Sequence, residues 1–317
     1  MPPIPQKTPM PKMPPFIEIL RPRQWLKNVI VLAGLVFALP DRLQRDVDFS
    51  AAVANSFAAF ALFCVVSSAV YIMNDLRDVE GDRAHPRKKL RPIASGRLAP
   101  RAAAAECALL AAAALAGALF VGRGCAFALC LGAYFLMQAA YTFALKNVVL
   151  VDVFVVALGF VMRVYAGTAA AGVRASSWLL LCTFSVTLFI ILCKRYDERT
   201  LLGADAGKHR KVLAHYEPAF LAHTIAATAA VTIICYAIYT LSSGTVEKFG
   251  TEALVATVPF VVFGIYRYAY LVFCKGKGGH PEKVLTTDIP TLINLLLYAA
   301  ACAAALFGRR LIEAFQH

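Results

Sequence analysis

Apolar residues run along this chain in unbroken stretches, separated by short polar or strongly charged connections. A strand rarely exceeds eight residues, whereas a helix that crosses a bilayer needs about 20 mostly apolar positions. The pattern predicts nine such helices, over 25–40, 50–73, 102–121, 125–144, 148–170, 176–193, 219–241, 252–273 and 289–307. The first is short, and the fifth contains Asp152 and Arg163. The expected fold is therefore an all-α integral membrane protein, one transmembrane domain over residues 16–317. Residues 1–15 are rich in proline and carry Lys7 and Lys12, with no apolar core directly behind a basic start. They read as a disordered tail rather than a signal peptide.

Composition strengthens this picture. Hydrophobic residues make up 60% of the chain and charged ones 16%, with a mean hydropathy of +0.65. A water-facing domain would hold about 25% charged residues. Yet 32 Lys and Arg face 19 Asp and Glu, a net charge of +13. Nucleic-acid binding would account for that charge but would leave the apolar bulk unexplained. Sorted by the predicted spans, 24 of the 32 cations fall on one side and seven on the other. The positive-inside rule then places the N-terminus in the cytoplasm and the C-terminus outside. The long connections 74–101, 194–218 and 274–288 share the basic side, where a site would be built. Nine scattered cysteines with no CxxC pair behave as small hydrophobes. Whether copies of the chain form a homo-oligomer stays open at this level.

Candidate chemistry begins where the second span ends. In Asn74-Asp75-Leu76-Arg77-Asp78-Val79-Glu80-Gly81-Asp82, helical geometry sets Asp75 and Asp82 about 20° apart and Asp78 within about 60° of Asp75. Three carboxylates on one face repel unless a cation neutralises them. Mg²⁺ suits them, because it binds through one or two carboxylates together with substrate phosphate oxygens. Asn74 can add a carbonyl oxygen. The plainer alternative is a solvated acidic helix end paired with Arg77 and Arg83. The loop continues with Lys88, Lys89, Arg91 and Arg97, cations that a diphosphate needs beside a metal. Taken alone, it would equally suit anionic lipid headgroups.

The composite Asn74-Asp75-xx-Asp78-xxx-Asp82 with Arg91-Pro92-Ile93-Ala94-Ser95-Gly96-Arg97 resembles the first signature of the UbiA superfamily of intramembrane prenyltransferases. The resemblance implies nine transmembrane helices around a central cavity open to the cytoplasmic side. It also implies Mg²⁺ at Asn74, Asp75, Asp78 and Asp82. A second Asp-rich motif is usual in that superfamily. Here the corresponding stretch is Lys194-Arg195-Tyr196-Asp197-Glu198-Arg199, which keeps an acidic pair but opens with two cations, and whether Asp197 or Glu198 holds a second metal stays open at this level. With Arg21-Pro22-Arg23-Gln24-Trp25-Leu26-Lys27-Asn28 and Tyr141-Thr142-Phe143-Ala144-Leu145-Lys146, it is similar to the decaprenyl-phosphate phosphoribosyltransferase branch.

What that branch implies is transfer of 5-phosphoribose from phosphoribosyl diphosphate to a polyprenyl phosphate, at a bacterial cytoplasmic membrane, toward a cell-wall arabinan precursor. The implied catalytic groups are Asp75, Asp78, Lys194 and Arg195. The implied substrate-binding groups are Lys27, Asn28, Lys88, Lys89, Arg91, Tyr141, Lys146, Arg163 and Tyr196. Ionised residues within a span are costly and usually functional, so a cavity-facing role is expected of Arg163, more than of Asp152. The two lie about 16 Å apart along one helix face, too far to pair. Rival readings are an aromatic-acceptor prenyltransferase and a transporter. The segment 208–216, with Lys208, Lys211 and His215 on one face, is expected at the headgroup level.

Overall fold

The computed structural model describes residues 13–36, 38, 48–85, 88–122, 125–203, 206–279 and 281–315. Among the described residues there is no strand. Eight helices are long and apolar enough to cross a membrane, which makes this a multi-pass membrane protein. They are α1 (Phe49–Arg77), α2 (Pro100–Ala118), α3 (Ala126–Phe143), α4 (Val151–Ala170), α5 (Ser177–Leu202), α6 (Pro218–Leu241), α7 (Val258–Lys275) and α8 (Ile289–Phe315). Local chemistry sets their starts. The Asp48 carboxylate accepts from the backbone N–H groups of Ser50 and Ala51 and caps α1. Pro100 and Pro218 open α2 and α6, where a missing N–H costs nothing.

The first expected span takes another form. It is a 3-10 helix over Pro22–Leu32 that becomes α-helical at 33–36. Its far end lies outside the described residues. At about 2 Å per residue, 3-10 winding carries a short segment further than an α-helix would. The proline-rich tail also lies outside the described residues through position 12. From Pro15 the chain forms a helical turn, which Arg97 ties to its loop through Glu18 at 2.7 and 3.0 Å.

α1 packs against α2, α3, α4 and the 3-10 helix; α4 continues to α5, α5 to α6, α6 to α7 and α7 to α8. Two apolar clusters result. One gathers Phe63, Phe127, Leu131 and Tyr134 with Ala166 of α4. The other gathers Val153 and Ala157 of α4 with Phe189, Leu192, Leu221 and Ile225. α4 thus serves both. The 3-10 helix crosses it without a side chain between them: a Cβ on Gly167 would stand 1.9 Å from the Val31 carbonyl oxygen. Such small-residue crossings let helix backbones touch in a bilayer. α8 buries no residue over Ile289–Leu306, so that stretch lies at the margin of the bundle.

Candidate active site

The charged connections meet at one end of the bundle, and the first centre forms where α1 stops. Asp78 caps α1, and a short helix, Val79–Ala84, follows it. The backbone N–H of Asp78 reaches the Asn74 carbonyl at 3.0 Å, and that of Asp82 reaches Asp78 at 2.8 Å. The helical direction therefore persists through the junction. Arg91 Nη1 touches both Asp75 Oδ1 (3.0 Å) and Asp82 Oδ2 (2.5 Å), as their seven-residue spacing predicts. Arg21 Nη2 adds a contact of 2.5 Å to Asp75 Oδ1. On the other flank Lys146 Nζ lies 2.6 and 2.9 Å from the two oxygens of Asp78, and 3.5 Å from Asn74 Oδ1. Asp75 and Asp82 are buried, whereas the Asp78 side chain is 35% exposed. Lys88 is half-buried above this centre; burial, reinforced by Arg91, holds its ammonium below the usual lysine range, against the pull of Asp82 and Asp78.

A second centre lies in the first turn of α4. Asp152 is fully buried and accepts from Arg195 Nε at 2.9 Å and from the Tyr216 hydroxyl at 2.6 Å. That hydroxyl in turn accepts the backbone N–H of Leu150 at 2.9 Å. Burial, then the bond to Asp152, pushes the Tyr216 phenol well above the usual range. Arg195 Nη1 holds Glu198 at 2.9 Å. Arg210 Nη2 lies 3.7 Å from Asp152 Oδ2 and donates to the Tyr141 hydroxyl. Among the described residues two non-glycine residues adopt positive φ, Arg21 at 54° and Leu150 at 65°. Each serves one of the two centres, and such strain concentrates at functional sites.

Several expected residues are placed differently. Arg163 and Asn28 do not reach the carboxylates but bind each other, Nε to Oδ1 at 2.8 Å. Arg163 also donates to the Gly159 carbonyl (2.9 Å) and the Tyr134 hydroxyl (2.7 Å), beneath the rings of Phe63 and Phe160. Its charge ties helices together, while Asp152, the lesser expectation, is the one at a polar centre. Tyr196 turns its ring onto Phe273, 4.7 Å between centroids. The Lys194 side chain stays 43% exposed, 3.9 Å from Glu198. Lys27 and Lys89 are exposed. Asp197 is buried and accepts the Gly278 N–H at 3.1 Å, fastening the connection after α7 to α5. The segment after α5 is anchored to the bundle, with Val212, Leu213 and Tyr216 buried in the second apolar cluster. Arg21, Arg210 and Tyr216 were not singled out from sequence as site residues. They come from remote segments, and only the cationic context of Arg21-Pro22-Arg23 and of Lys208–Lys211 signalled them.

Chemically, the first centre offers hard carboxylate oxygens beside mobile-length cations, the donor set of a divalent metal with a phosphate. Among the described residues no three Asp, Glu, His or Cys groups converge on one point. Instead a cation stands between each pair of acid-end oxygens, Arg91 between Asp75 and Asp82, and Lys146 between Asn74 and Asp78. These are positions where positive charge is already stabilised, so the residues fit a divalent cation.

The chain is similar to known proteins. The "Decaprenyl-phosphate phosphoribosyltransferase" of Mycolicibacterium smegmatis is 33% identical over 299 residues, 92% of each chain. Its namesake from Corynebacterium glutamicum is 36% identical over 277 residues, 86% of this chain and 81% of that one. A UbiA homolog from Archaeoglobus fulgidus, solved bound to GPP and Mg²⁺, superposes with a TM-score of 0.68 at 20% identity, covering 92% of this chain and 99% of that one. The profile of the UbiA prenyltransferase family matches residues 29–285. This chain belongs to the UbiA prenyltransferase family.

Proposed function

We propose that the protein transfers 5-phosphoribose from phosphoribosyl diphosphate to a polyprenyl phosphate, releasing diphosphate, with its charged end at the cytoplasmic face of a bacterial inner membrane. The product is a precursor of cell-wall arabinan. The observation that carries this reading lies in the last turns of α5. Where a second acidic metal motif would stand, Lys194 and Arg195 stand instead, and Asp197 is spent on the Gly278 N–H. The acidic cluster at the end of α1 meets cations from three segments, Arg21, Arg91 and Lys146. That balance suits two substrates that bring three phosphate-bearing groups. The names of the two actinobacterial relatives point the same way.

Asp75, Asp78 and Asp82, with Asn74, would hold Mg²⁺, which would neutralise charge on the departing diphosphate. The chain's own residues do the rest. Lys146, Lys88 and Arg91 present N–H donors to phosphate oxygens, and Lys194 adds charge at the mouth. The bond from ribose C1 to the diphosphate oxygen breaks, and an oxygen of the lipid phosphate bonds to C1. That oxygen is already anionic, so no general base is required. Catalysis then consists of positioning and charge stabilisation.

The test is to incubate purified protein with Mg²⁺, polyprenyl phosphate and labelled phosphoribosyl diphosphate, beside a parallel reaction of geranyl diphosphate with an aromatic acceptor. Label should enter the lipid fraction in the first reaction only. Prenyl transfer in the second without label in the first would refute the reading.

A further inference from the structure

Arg210 stands apart from the other cations of the site. Its segment is pinned on both sides, by Ala206 and by Val212, Leu213 and Tyr216, all buried. Its own backbone is extended, with the N–H on the Ala206 carbonyl at 3.0 Å. The guanidinium therefore arrives on a fixed base. Nη2 holds the Tyr141 hydroxyl, and the group lies 5.8 Å from that ring's centroid. Nε and Nη1 have no partner among the described residues, and the side chain is 26% exposed.

Its charge is not required where it sits. Asp152 already has Arg195 at 2.9 Å and the Tyr216 hydroxyl at 2.6 Å, and Arg210 is a more distant third at 3.7 Å. Arg210 is a surplus cation held in place by a carboxylate that others neutralise. It also faces the acidic centre. Tyr141, its hydrogen-bond partner, precedes by five residues the Lys146 that binds Asp78. Lys88 lies in the electrostatic field of Asp78, Asp82 and Arg210 together.

A planar guanidinium whose Nε and Nη1 donors have no partner among the described residues is a natural receptor for the oxygens of a phosphate. We propose that Arg210, with the Tyr141 hydroxyl, binds a terminal phosphate monoester across the α3–α4 turn from the carboxylates. This inference rests on the phosphoribosyl-transfer reading. Both substrates in that reading carry such a group, the 5-phosphate of the sugar and the phosphate of the lipid, whereas the diphosphate belongs to the carboxylates. Arg210 is thus a binding residue, and Asp152, Arg195 and Tyr216 position it.

The experiment uses the full-length protein in detergent and three competitors of the transfer reaction: ribose 5-phosphate, farnesyl phosphate and inorganic diphosphate with Mg²⁺. Arg210→Ala should weaken inhibition by one of the two monoesters at least tenfold and leave diphosphate within about twofold. The monoester that moves identifies the source of the phosphate. Arg210→Lys keeps the charge without the fork and should recover only part of the loss. It also serves as the readout should the alanine variant misfold. If neither monoester moves in either variant, or diphosphate weakens as much as they do, the assignment is overturned. Equilibrium binding of labelled ribose 5-phosphate and farnesyl phosphate is measured alongside. A wild-type protein that binds a monoester through Arg210 but transfers no phosphoribose would refute the functional reading alone.

Discussion

Two acidic centres flank the turn between α3 and α4, and they are built in opposite ways. At the end of α1, three carboxylates meet three cations whose side chains are 19–26% exposed. One acid, Asp78, is open to solvent and held by a single lysine. At the start of α4, one fully buried carboxylate holds an arginine 5% exposed, with a tyrosine closing its second oxygen. The first centre can exchange partners at lower cost, because Asp78 and all three cations keep access to water, although Asp75 and Asp82 are buried. The second cannot, since a buried charge left without its partner is severely penalised. In the proposed function the first would hold the metal and the diphosphate, and the second would fix the frame that carries Arg210.

Substitutions should separate the two. The largest effect is expected from Asp152→Ala, which leaves the buried Arg195 guanidinium with Glu198 alone and the Tyr216 hydroxyl without its acceptor. About 3–5 kcal/mol of stability should be lost, read as a large fall in the thermal midpoint in detergent. An unchanged midpoint would erase the contrast. Next comes Asp78→Asn, which should cut phosphoribosyl transfer about 100- to 1000-fold while the thermal midpoint stays with wild type. A parallel loss of stability would make the two centres alike. Tyr216→Phe removes one hydrogen bond from Asp152 and leaves the Leu150 N–H unpaired, about 1–3 kcal/mol. If it positions Arg210, KM for a substrate should rise more than kcat falls; equal losses would mark it as purely structural.

The smallest effect lies outside both centres. Arg267 holds Asp288 with contacts of 2.9 and 3.0 Å, and this bond keeps the Asp288 carboxyl well below the usual range. A depressed carboxyl stabilises the fold above its unfolded pKa, about 3.9, and the contribution disappears as pH falls through the folded value. The thermal midpoint of Asp288→Asn should therefore lie slightly below wild type at neutral pH and converge with it in acid. A gap that persists in acid would assign the effect to something other than the ionised pair.

How much of this was legible in sequence follows the range of each interaction. Asp75, Asp78, Asp82 and Arg91 fall within one short stretch, and helical spacing alone aligns the first three. The spans were legible because each is a local run of apolar residues; 25–40 took an unforeseen form, beginning as it does with Pro22 and winding as a 3-10 helix, and 252–273 opens with a 3-10 stretch over Ala253–Thr257. Asp152 and Arg163 were legible as charges inside a span, but their order of importance was not. Asn28, which receives Arg163, lies 135 positions away, and Tyr216, which seals Asp152, lies 64 away. Spacing within one helix carries no information about such partners. Arg21 is similar: its contact with Asp75 spans 54 positions and depends on a left-handed backbone that an arginine does not advertise.

The contact of Val31 with Gly167 gives the bundle a pivot. From there a stiff rod of 3-10 helix runs back to Pro22, with Arg21 immediately before it. At about 2 Å per residue its lever arm is close to 20 Å. A methyl group at Gly167 has nowhere to go but against the Val31 carbonyl, and the tilt it forces would be magnified at the tip. A chemically silent change near the end of α4 would thus be felt as a misplaced guanidinium beside Asp75, in a part of the protein that it never touches.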